Sequence, residues 1–313
     1  MVVEWKRMLE RVKSWGIVAA IGMLCSPWSL LAHPSSGIVV NANGEVFFVH
    51  SALGVAKIER DGKLTYVHQS TGGHWLCLDP EGHFSKTQPR HFIRITPDGA
   101  RPAIIFADGG APIAVGRDGN FYYGSGGDKN EPGAETVSRL TRDGSVTAFA
   151  PKVKPELARQ RAGVTGLAAG GDGALYVASA VSILKVDMDG STKTVVERPS
   201  LKDCDANPPP DGLPGFQGID VSKEGTIYAA ASGCRTVIKI SPDGEVQTVL
   251  KSEAPWSPTA VALHQAELYV LEWTNPNEGA EAGWRPRVRK VDKNGAVTTL
   301  VTVTENVKAP PRR

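Results

Sequence analysis

Short runs of apolar and β-branched residues, each ended by Gly, Asn or Asp, alternate along the chain from about residue 35 onward. One pattern occurs six times: a basic residue, an aliphatic residue, two variable positions, Asp or Asn, and Gly. Its copies are Lys57–Gly62, Arg94–Gly99, Arg139–Gly144, Lys185–Gly190, Lys239–Gly244 and Lys290–Gly295. Asp-Gly and Asn-Gly provide the positive-φ residues of tight hairpin turns, and a β-rich run follows them. Each copy therefore predicts an outer β-hairpin.

A second repeat precedes these hairpins and predicts an inner hairpin with a small-residue first strand and an aromatic second strand. Clear copies are Gly37–Phe47, Pro112–Tyr122, Gly166–Tyr176 and Gly218–Tyr228, and degenerate copies are Trp75–Ser85 and Thr259–Tyr269. Six repeats of four strands, with no long helical pattern beyond the N-terminal segment, are typical of an all-β, six-bladed β-propeller. The expected blades are residues 35–68, 74–106, 111–149, 164–197, 216–250 and 258–303.

The inner motif followed by Lys-Ile-x-x-Asp-Gly resembles NHL-repeat propellers and, more loosely, the SMP-30/gluconolactonase/LRE-like superfamily. The resemblance spans about residues 35–303. It implies the fold, but these superfamilies include binding modules, lactonases and lyases. The resemblance to SMP-30-like enzymes implies that a Glu at the start of the first inner strand, together with Asn and Asp near the channel mouth, binds a divalent cation. Ser36 stands where that Glu is expected.

We therefore expect a protein that binds a small molecule or a protein partner on one face of the propeller, at the mouth of its central channel. The alternative is a lactonase-like metal-dependent hydrolase or lyase, with a calcium or zinc ion in the channel polarising the substrate carbonyl. The sequence contains none of the HExxH, Gly-x-Ser-x-Gly or CxxC motifs that indicate other chemistries. The identity of the ligand stays open at this point.

The N-terminal segment has the features of a secretory signal peptide over residues 1–32, which leaves a propeller of residues 33–313. Four basic residues precede an apolar stretch, Pro27 follows it, and Ala32 is a suitable cleavage position. The whole chain has 35 Lys and Arg against 33 Asp and Glu, and removing the segment leaves 31 of each. A neutral mature chain gives no reason to expect nucleic acid or a membrane surface as partner. We expect a secreted or periplasmic monomer.

Three cysteines remain after cleavage, and export to an oxidising compartment favours one disulfide bond. Cys77 lies in an apolar run and is expected to be a small buried side chain. Cys204 and Cys234 lie in turn-rich segments that should share one face of the propeller, so we predict that they pair. A disulfide closing a loop of this size contributes roughly 3 to 4 kcal/mol in the chain-entropy description.

Long connections at residues 126–135, 150–163, 198–215 and 274–286 should all lie on one face, which we call the loop face. Alignment of the inner hairpins places His74 and Gln217 at the start of first strands, and His50 and Glu272 at the end of second strands, around the channel mouth. Carboxylate and imidazole groups hold divalent metals or transfer protons. The other interpretation is that they are polar rim residues bonded to backbone and water.

Asp220 stands out among the aligned inner strands, because the corresponding positions are small and apolar: Val39, Cys77, Ala114, Ala168 and Val261. A buried carboxylate requires a cation, backbone N–H groups or a metal. We therefore count Asp220, with His50, His74 and Glu272, among the candidate metal or ligand residues. Trp256 and Trp273 are candidates for an aromatic ligand platform, or for side chains that seal gaps between loops.

Overall fold

The structure, a computed structural model, describes residues 34–79, 92–96, 103–107, 110–125, 136–150, 163–201, 204, 214–275 and 283–304. It is an all-β, six-bladed propeller, as the repeats predict. The predicted signal peptide, most of the long connections and the last nine residues lie outside this description. Within it, no helix is long and apolar enough to cross a bilayer.

Five blades are four-stranded antiparallel sheets whose strands follow one another outward from the channel. Blade 1 comprises β1 (Ile38–Val40), β2 (Val46–His50), β3 (Gly54–Ile58) and β4 (Leu64–His68). Blade 3 comprises β8 (Ile113–Val115), β9 (Phe121–Ser125), β10 (Thr136–Leu140) and β11 (Val146–Ala150). Blade 4 comprises β12 (Gly166–Ala169), β13 (Leu175–Ala178), β14 (Ser182–Val186) and β15 (Thr192–Glu197). Blade 5 comprises β16 (Phe216–Val221), β17 (Ile227–Ala231), β18 (Thr236–Ile240) and β19 (Val246–Lys251). Blade 6 comprises β20 (Trp256–His264), β21 (Glu267–Thr274), β22 (Pro286–Val291) and β23 (Val297–Thr302).

Blade 2 differs from the other blades in its described residues. Its strands are β5 (Trp75–Asp79), β6 (Phe92–Ile95) and β7 (Ala103–Ala107), paired in the order β5, β7, β6. β7, which follows β6 in sequence, thus lies between β5 and β6 in the sheet. Every residue of β7 is buried, whereas β6 is mostly half-buried. The more apolar strand takes the inner position because both of its faces are covered there.

Apolar clusters fill the gaps between neighbouring blades all the way around the ring. The cluster between blades 6 and 1 contains Phe48 and Trp273 and closes the ring. There the Thr259 hydroxyl also donates a hydrogen bond to the Ser35 carbonyl, at 2.6 Å. Blades 1 and 6 each consist of four consecutive strands, so no strand exchange is needed to close the propeller.

The repeated Asp-Gly turns have a structural role on the face opposite the loop face, which we call the turn face. Asp118 accepts a hydrogen bond from the Asn120 amide at 3.0 Å and from the Tyr122 hydroxyl at 2.7 Å. Asp172 does the same with the Ala174 amide, at 3.1 Å. These carboxylates hold their own turns, which explains the repeat without any chemistry at these positions.

Candidate functional site

The mouth of the channel on the loop face carries neutral polar groups. Ser36 precedes the inner strand of blade 1, and Gln217 is the second residue of the inner strand of blade 5. The Ser36 hydroxyl donates to Gln217 Oε1 at 3.1 Å. His74 precedes the inner strand of blade 2, where its carbonyl accepts a hydrogen bond from the Ser36 amide at 3.0 Å. The structure therefore brings Ser36 and Gln217 into contact, and places His74 beside them through its backbone.

A cavity of about 200 Å³ occupies the channel below these residues, and mostly aliphatic side chains together with polar backbone groups line it. Its wall consists of two or three consecutive residues from the inner strand of each blade: Ile38–Val40, Leu76–Leu78, Ile113–Val115, Leu167–Ala169, Ile219–Asp220 and Val261–Leu263. The aligned positions of the sequence analysis thus line one channel. The first strands are edge strands, so unpaired backbone groups also face the channel.

Asp220 provides the carboxylate in this wall. Its Oδ1 accepts the amide hydrogen of Val221 at 2.8 Å, and its Oδ2 accepts that of Leu263 in blade 6 at 2.7 Å. The carboxylate therefore joins blades 5 and 6 through backbone groups, and no Lys or Arg side chain of the described residues pairs with it. Loss of solvation raises the pKa of Asp220 to about 6, although both amide donors act to lower it.

Glu272 has a very different environment, because its carboxylate is fully buried between two arginines. Arg287 Nε donates to Glu272 Oε2, and Arg289 Nη2 donates to Oε1 at 2.5 Å. The Ser252 hydroxyl also donates to Oε1. Arg287 and Arg289 are themselves only 7% and 8% exposed. Glu272 and the exposed Glu253 together balance the charges of the two arginines. The carboxylate oxygens of Glu272 are occupied and are not available as metal ligands.

The two candidate tryptophans hold other groups in place. Trp273 is fully buried between blades 6 and 1, so it is not an exposed platform for a ligand. The partly exposed Trp256 ring lies 4.2 Å from the guanidinium of Arg287, which forms a cation–π contact. Arg287 also donates to the exposed carboxylate of Glu253 at 2.6 Å. Trp256 therefore completes the charged cluster around Glu272.

His50 and Glu272 both lie near the ends of second strands at the channel mouth, but their side chains lie at different faces of blade 6. The His50 ring makes an edge contact with Trp273, with ring centroids 5.7 Å apart. Successive residues of a strand point to opposite faces, so Trp273 faces blade 1 while Glu272 faces Ser252 of blade 5. Burial lowers the pKa of His50 to about 4, and its Nδ1 accepts the Ala52 amide hydrogen at 3.3 Å.

The four predicted metal ligands, His50, His74, Asp220 and Glu272, do not form a metal-binding group. In the described parts of the chain no three His, Cys, Asp or Glu side chains come together in such an arrangement. At the mouth, where the family resemblance implies carboxylate ligands, the described side chains include the neutral Ser36–Gln217 pair. Protein sites for zinc and calcium include carboxylate, thiolate or imidazole ligands, and the Ser36–Gln217 pair supplies none of them.

The disulfide between Cys204 and Cys234 is present, with the Cα atoms 4.8 Å apart. This separation is within the usual range for a disulfide. Cys234 ends a 3₁₀ turn, Ser232–Cys234, on the loop face, and both cysteines pack against the apolar cluster between blades 4 and 5. Cys77 is a free, buried cysteine in the channel wall, as expected.

Sequence reasoning did not identify the partners of Glu272. The alternation Arg285-x-Arg287-x-Arg289 is typical of a solvated basic face, whereas Arg287 and Arg289 are buried. The signal was available in the pairing of β21 with β22, because Glu272 lies directly opposite Arg287. Directly opposed residues of an antiparallel pair share a face and interact.

A larger cleft of about 1090 Å³ lies on the turn face, between blades 1 and 6. Its charged side chains already have partners at its rim, as in the ion pairs of Lys57 with Glu45 at 2.7 Å and of Lys63 with Asp61 at 2.7 Å. Exposed pairs of this kind are typical of solvated protein surface. The channel, with its unpaired carboxylate in an apolar wall, is the better candidate site.

Residues 35–273 match the SMP-30/Gluconolactonase/LRE-like region, and no curated protein matches the chain. Among solved structures, virginiamycin B lyase from Staphylococcus aureus is similar at 16% identity, with a TM-score of 0.51 over 89% of this chain and 87% of the lyase. Regucalcin, a calcium-binding protein from Agrobacterium tumefaciens, is similar at 14% identity, with a TM-score of 0.51 over 81% of this chain and 86% of regucalcin. A gluconolactonase from Xanthomonas campestris is similar at 17% identity, with a TM-score of 0.50 over 77% of this chain and 84% of the enzyme. At these identities the likeness is one of fold.

Proposed function

The chain belongs to the SMP-30/gluconolactonase/LRE-like family, and we propose that it is an exported binding protein of that family whose small ligand enters the central channel from the loop face. The observation that carries this proposal is the 200 Å³ cavity, whose wall includes residues with mostly aliphatic side chains from all six inner strands. Ligand sites are characteristically apolar concavities with few polar groups. Here Asp220 lies in the wall, and Ser36, His74 and Gln217 lie at the mouth.

The size of the cavity limits the ligand. Sites for drug-sized molecules measure roughly 300–1,000 Å³, whereas an apolar cavity of roughly 150 Å³ accommodates benzene. A cavity of about 200 Å³ therefore suits a body of about the size of benzene or a short alkyl chain. A larger ligand or a protein partner would place only one such group in the channel, with its remainder on the loop face.

Export is the second part of the proposal. It is supported by the charged and apolar N-terminal segment and by the Cys204–Cys234 disulfide, which is favoured in an oxidising compartment. We further propose that the protein acts as a monomer, with neither nucleic acid nor membrane as its partner, because the mature chain carries equal numbers of acidic and basic residues.

A set of three probes with matched alkyl chains tests the binding proposal: n-butanol, n-butylammonium chloride and sodium butyrate. Isothermal titration calorimetry at constant ionic strength should show that at least one of them binds to the wild-type protein. Cys77→Met extends a flexible side chain from the channel wall and should abolish that binding. Cys77→Ser, which keeps the cavity volume, should not. No binding of any probe, or equal binding by both variants, would contradict the proposal.

A metal-dependent hydrolase or lyase is the alternative, since similar folds include a gluconolactonase and a virginiamycin B lyase. The feature of this chain that favours it is Asp220, because a carboxyl group with a pKa of about 6 suits proton transfer near neutral pH. Metal analysis of the purified protein, with a panel of lactones and esters, separates the two. Stoichiometric metal together with turnover that a chelator removes would establish the enzyme.

A further inference from the structure

Asp220 lies in a ring of channel residues that are otherwise uncharged. The other inner strands contribute Val39, Cys77, Ala114 and Ala168 at this level, and Val261 and Ala262 in blade 6. Blades 2 and 5 are opposite each other in a six-bladed ring, so Cys77 lies across the channel from Asp220, where its side chain also packs in the cluster between blades 2 and 3. Burial raises the pKa of the Cys77 thiol, which therefore stays neutral. Asp220 and Cys77 are the titratable groups of the described channel wall.

The hydrogen bonds of Asp220 leave part of its carboxylate unused. Each oxygen accepts one backbone N–H, from Val221 or from Leu263, and an ionised carboxylate has about four acceptor positions. The side chain is half-buried, and its accessible part faces the cavity. The described residues thus supply two neutral donors and no positive charge for an anion in a channel whose other side chains are uncharged and mostly aliphatic. Such an anion is costly without a counter-charge.

We propose that Asp220 binds the ammonium group of a small alkylammonium ligand, whose apolar body fills the channel between the inner strands. This inference rests on the proposed function and names the ligand class for the same site. One carboxylate balances one positive charge, whereas a divalent ion would leave an unbalanced charge in an apolar wall. An ammonium donates up to three hydrogen bonds to carboxylate and carbonyl oxygens, and the unpaired backbone carbonyls of the edge strands face the same channel.

The three probes introduced above distinguish this inference from the proposed function. We expect n-butylammonium to bind at least tenfold more tightly than n-butanol, and sodium butyrate to bind more weakly than either. Asp220→Asn should weaken n-butylammonium binding at least tenfold and leave n-butanol binding nearly unchanged. Glu224→Gln, which removes the same charge from an exposed turn of the same blade, is the matched control and should bind like the wild type.

The wild-type protein alone gives an independent test, which holds even if Asp220→Asn does not fold. With a pKa of about 6, Asp220 is mostly ionised at pH 7.5 and mostly protonated at pH 5, whereas the alkylammonium probe stays charged. Its affinity should therefore fall about tenfold between pH 7.5 and pH 5, and that of n-butanol should not.

Several results would overturn the inference. Tighter binding of n-butanol than of n-butylammonium would leave the binding function standing and remove the cationic ligand. If sodium or potassium chloride competes with n-butylammonium in the wild type but not in Asp220→Asn, the site belongs to an inorganic cation instead. Retention of n-butylammonium binding in Asp220→Asn would show that another group holds the charge.

Discussion

Glu272 and Asp220 are both carboxylates enclosed by the propeller, and the structure treats them in opposite ways. Glu272 is fully buried, and Arg287, Arg289 and the Ser252 hydroxyl take up its oxygens. Asp220 receives two backbone N–H groups, has no charged partner among the described residues and borders a cavity. A carboxylate with its charges balanced inside the protein holds the blades together. One whose charge is left unbalanced beside a cavity is available to a ligand.

Both carboxylates lie at the interface between blades 5 and 6. The Glu272 cluster lies between blades 5 and 6, near the loop face, and joins the ends of β19, β21 and β22. Asp220 joins the same two blades at the channel, through the Leu263 amide. Because the cluster already fixes this blade interface, Asp220 is not required to provide most of its stability.

The largest expected effect is the loss of stability on substituting Glu272. Glu272→Gln removes the buried anion that Arg287 and Arg289 share and leaves them only the exposed carboxylate of Glu253. Breaking a buried pair in this way costs about 3 to 5 kcal/mol. Asp220→Asn removes a charge that has no cationic partner and should change the free energy of unfolding by about 1 kcal/mol or less. Urea unfolding at pH 7.5 measures both. Similar values for the two variants would remove the distinction between the carboxylates.

The second prediction concerns pH. The folded-state pKa of Asp220, about 6, lies above its ordinary value of 3.8, so the folded protein binds more protons between these values than the unfolded chain. The contribution of Asp220 to stability is therefore most favourable at low pH and falls as pH rises through 4 to 6. The total change is at most about 3 kcal/mol.

The difference in unfolding free energy between wild type and Asp220→Asn, measured from pH 4 to pH 7.5, isolates this contribution from other titrating groups. The wild type should lose stability relative to the variant as pH rises. A relative gain would mean that Asp220 has an ion-pair partner after all, and that it resembles Glu272.

A smaller loss of stability is expected on replacing the guanidinium group of Arg287. Arg287 contacts Glu272, Glu253 and the Trp256 ring together, which a planar guanidinium allows and a lysine ammonium does not. Arg287→Lys keeps the charge and should cost about 2 kcal/mol in thermal or urea unfolding. Arg60→Lys, at an exposed turn position, is the control and should have no measurable effect. Equal stability of Arg287→Lys and wild type would show that charge alone balances Glu272.

The smallest effect concerns the aromatic cover of this cluster. Trp256→Leu removes the cation–π contact with Arg287 and should cost about 1 kcal/mol. It should leave probe binding in the channel unchanged, because Trp256 does not line the cavity. Weaker n-butylammonium binding in this variant would restore Trp256 as a ligand platform.

The fold and part of the site follow from the sequence, because they depend on local patterns. The six Asp-Gly and Asn-Gly hairpins predict the propeller, alignment of the inner strands places Asp220 at the channel, and shared loops predict the Cys204–Cys234 pair. The partners of Glu272 could not be predicted from alignment columns alone. Alignment of the repeats gives the height of a residue along the channel. The alternation of side chains along β21 decides that Glu272 faces blade 5 and Trp273 faces blade 1.

The order of the strands in blade 2 also could not be predicted from local sequence patterns. The turn motif at Arg94–Gly99 predicts a hairpin, but not which of its strands lies next to β5. That choice depends on how much apolar surface each strand buries against blades 1 and 3, where Ile104, Ile105 and Phe106 are almost fully buried. Competition between strands for the inner position is a property of the assembled ring.

Nuclear magnetic resonance of protein labelled with ¹³C at the Asp side-chain carboxyl tests the central claim most directly. One resonance should titrate with a pKa of about 6, be absent from Asp220→Asn, and move to a lower pKa when n-butylammonium is added, because the bound cation favours the ionised carboxylate. If the Asp220 resonance titrates at or below the ordinary value of 3.8 and does not respond to n-butylammonium, the carboxylate is already balanced within the protein and the channel is not a cation site.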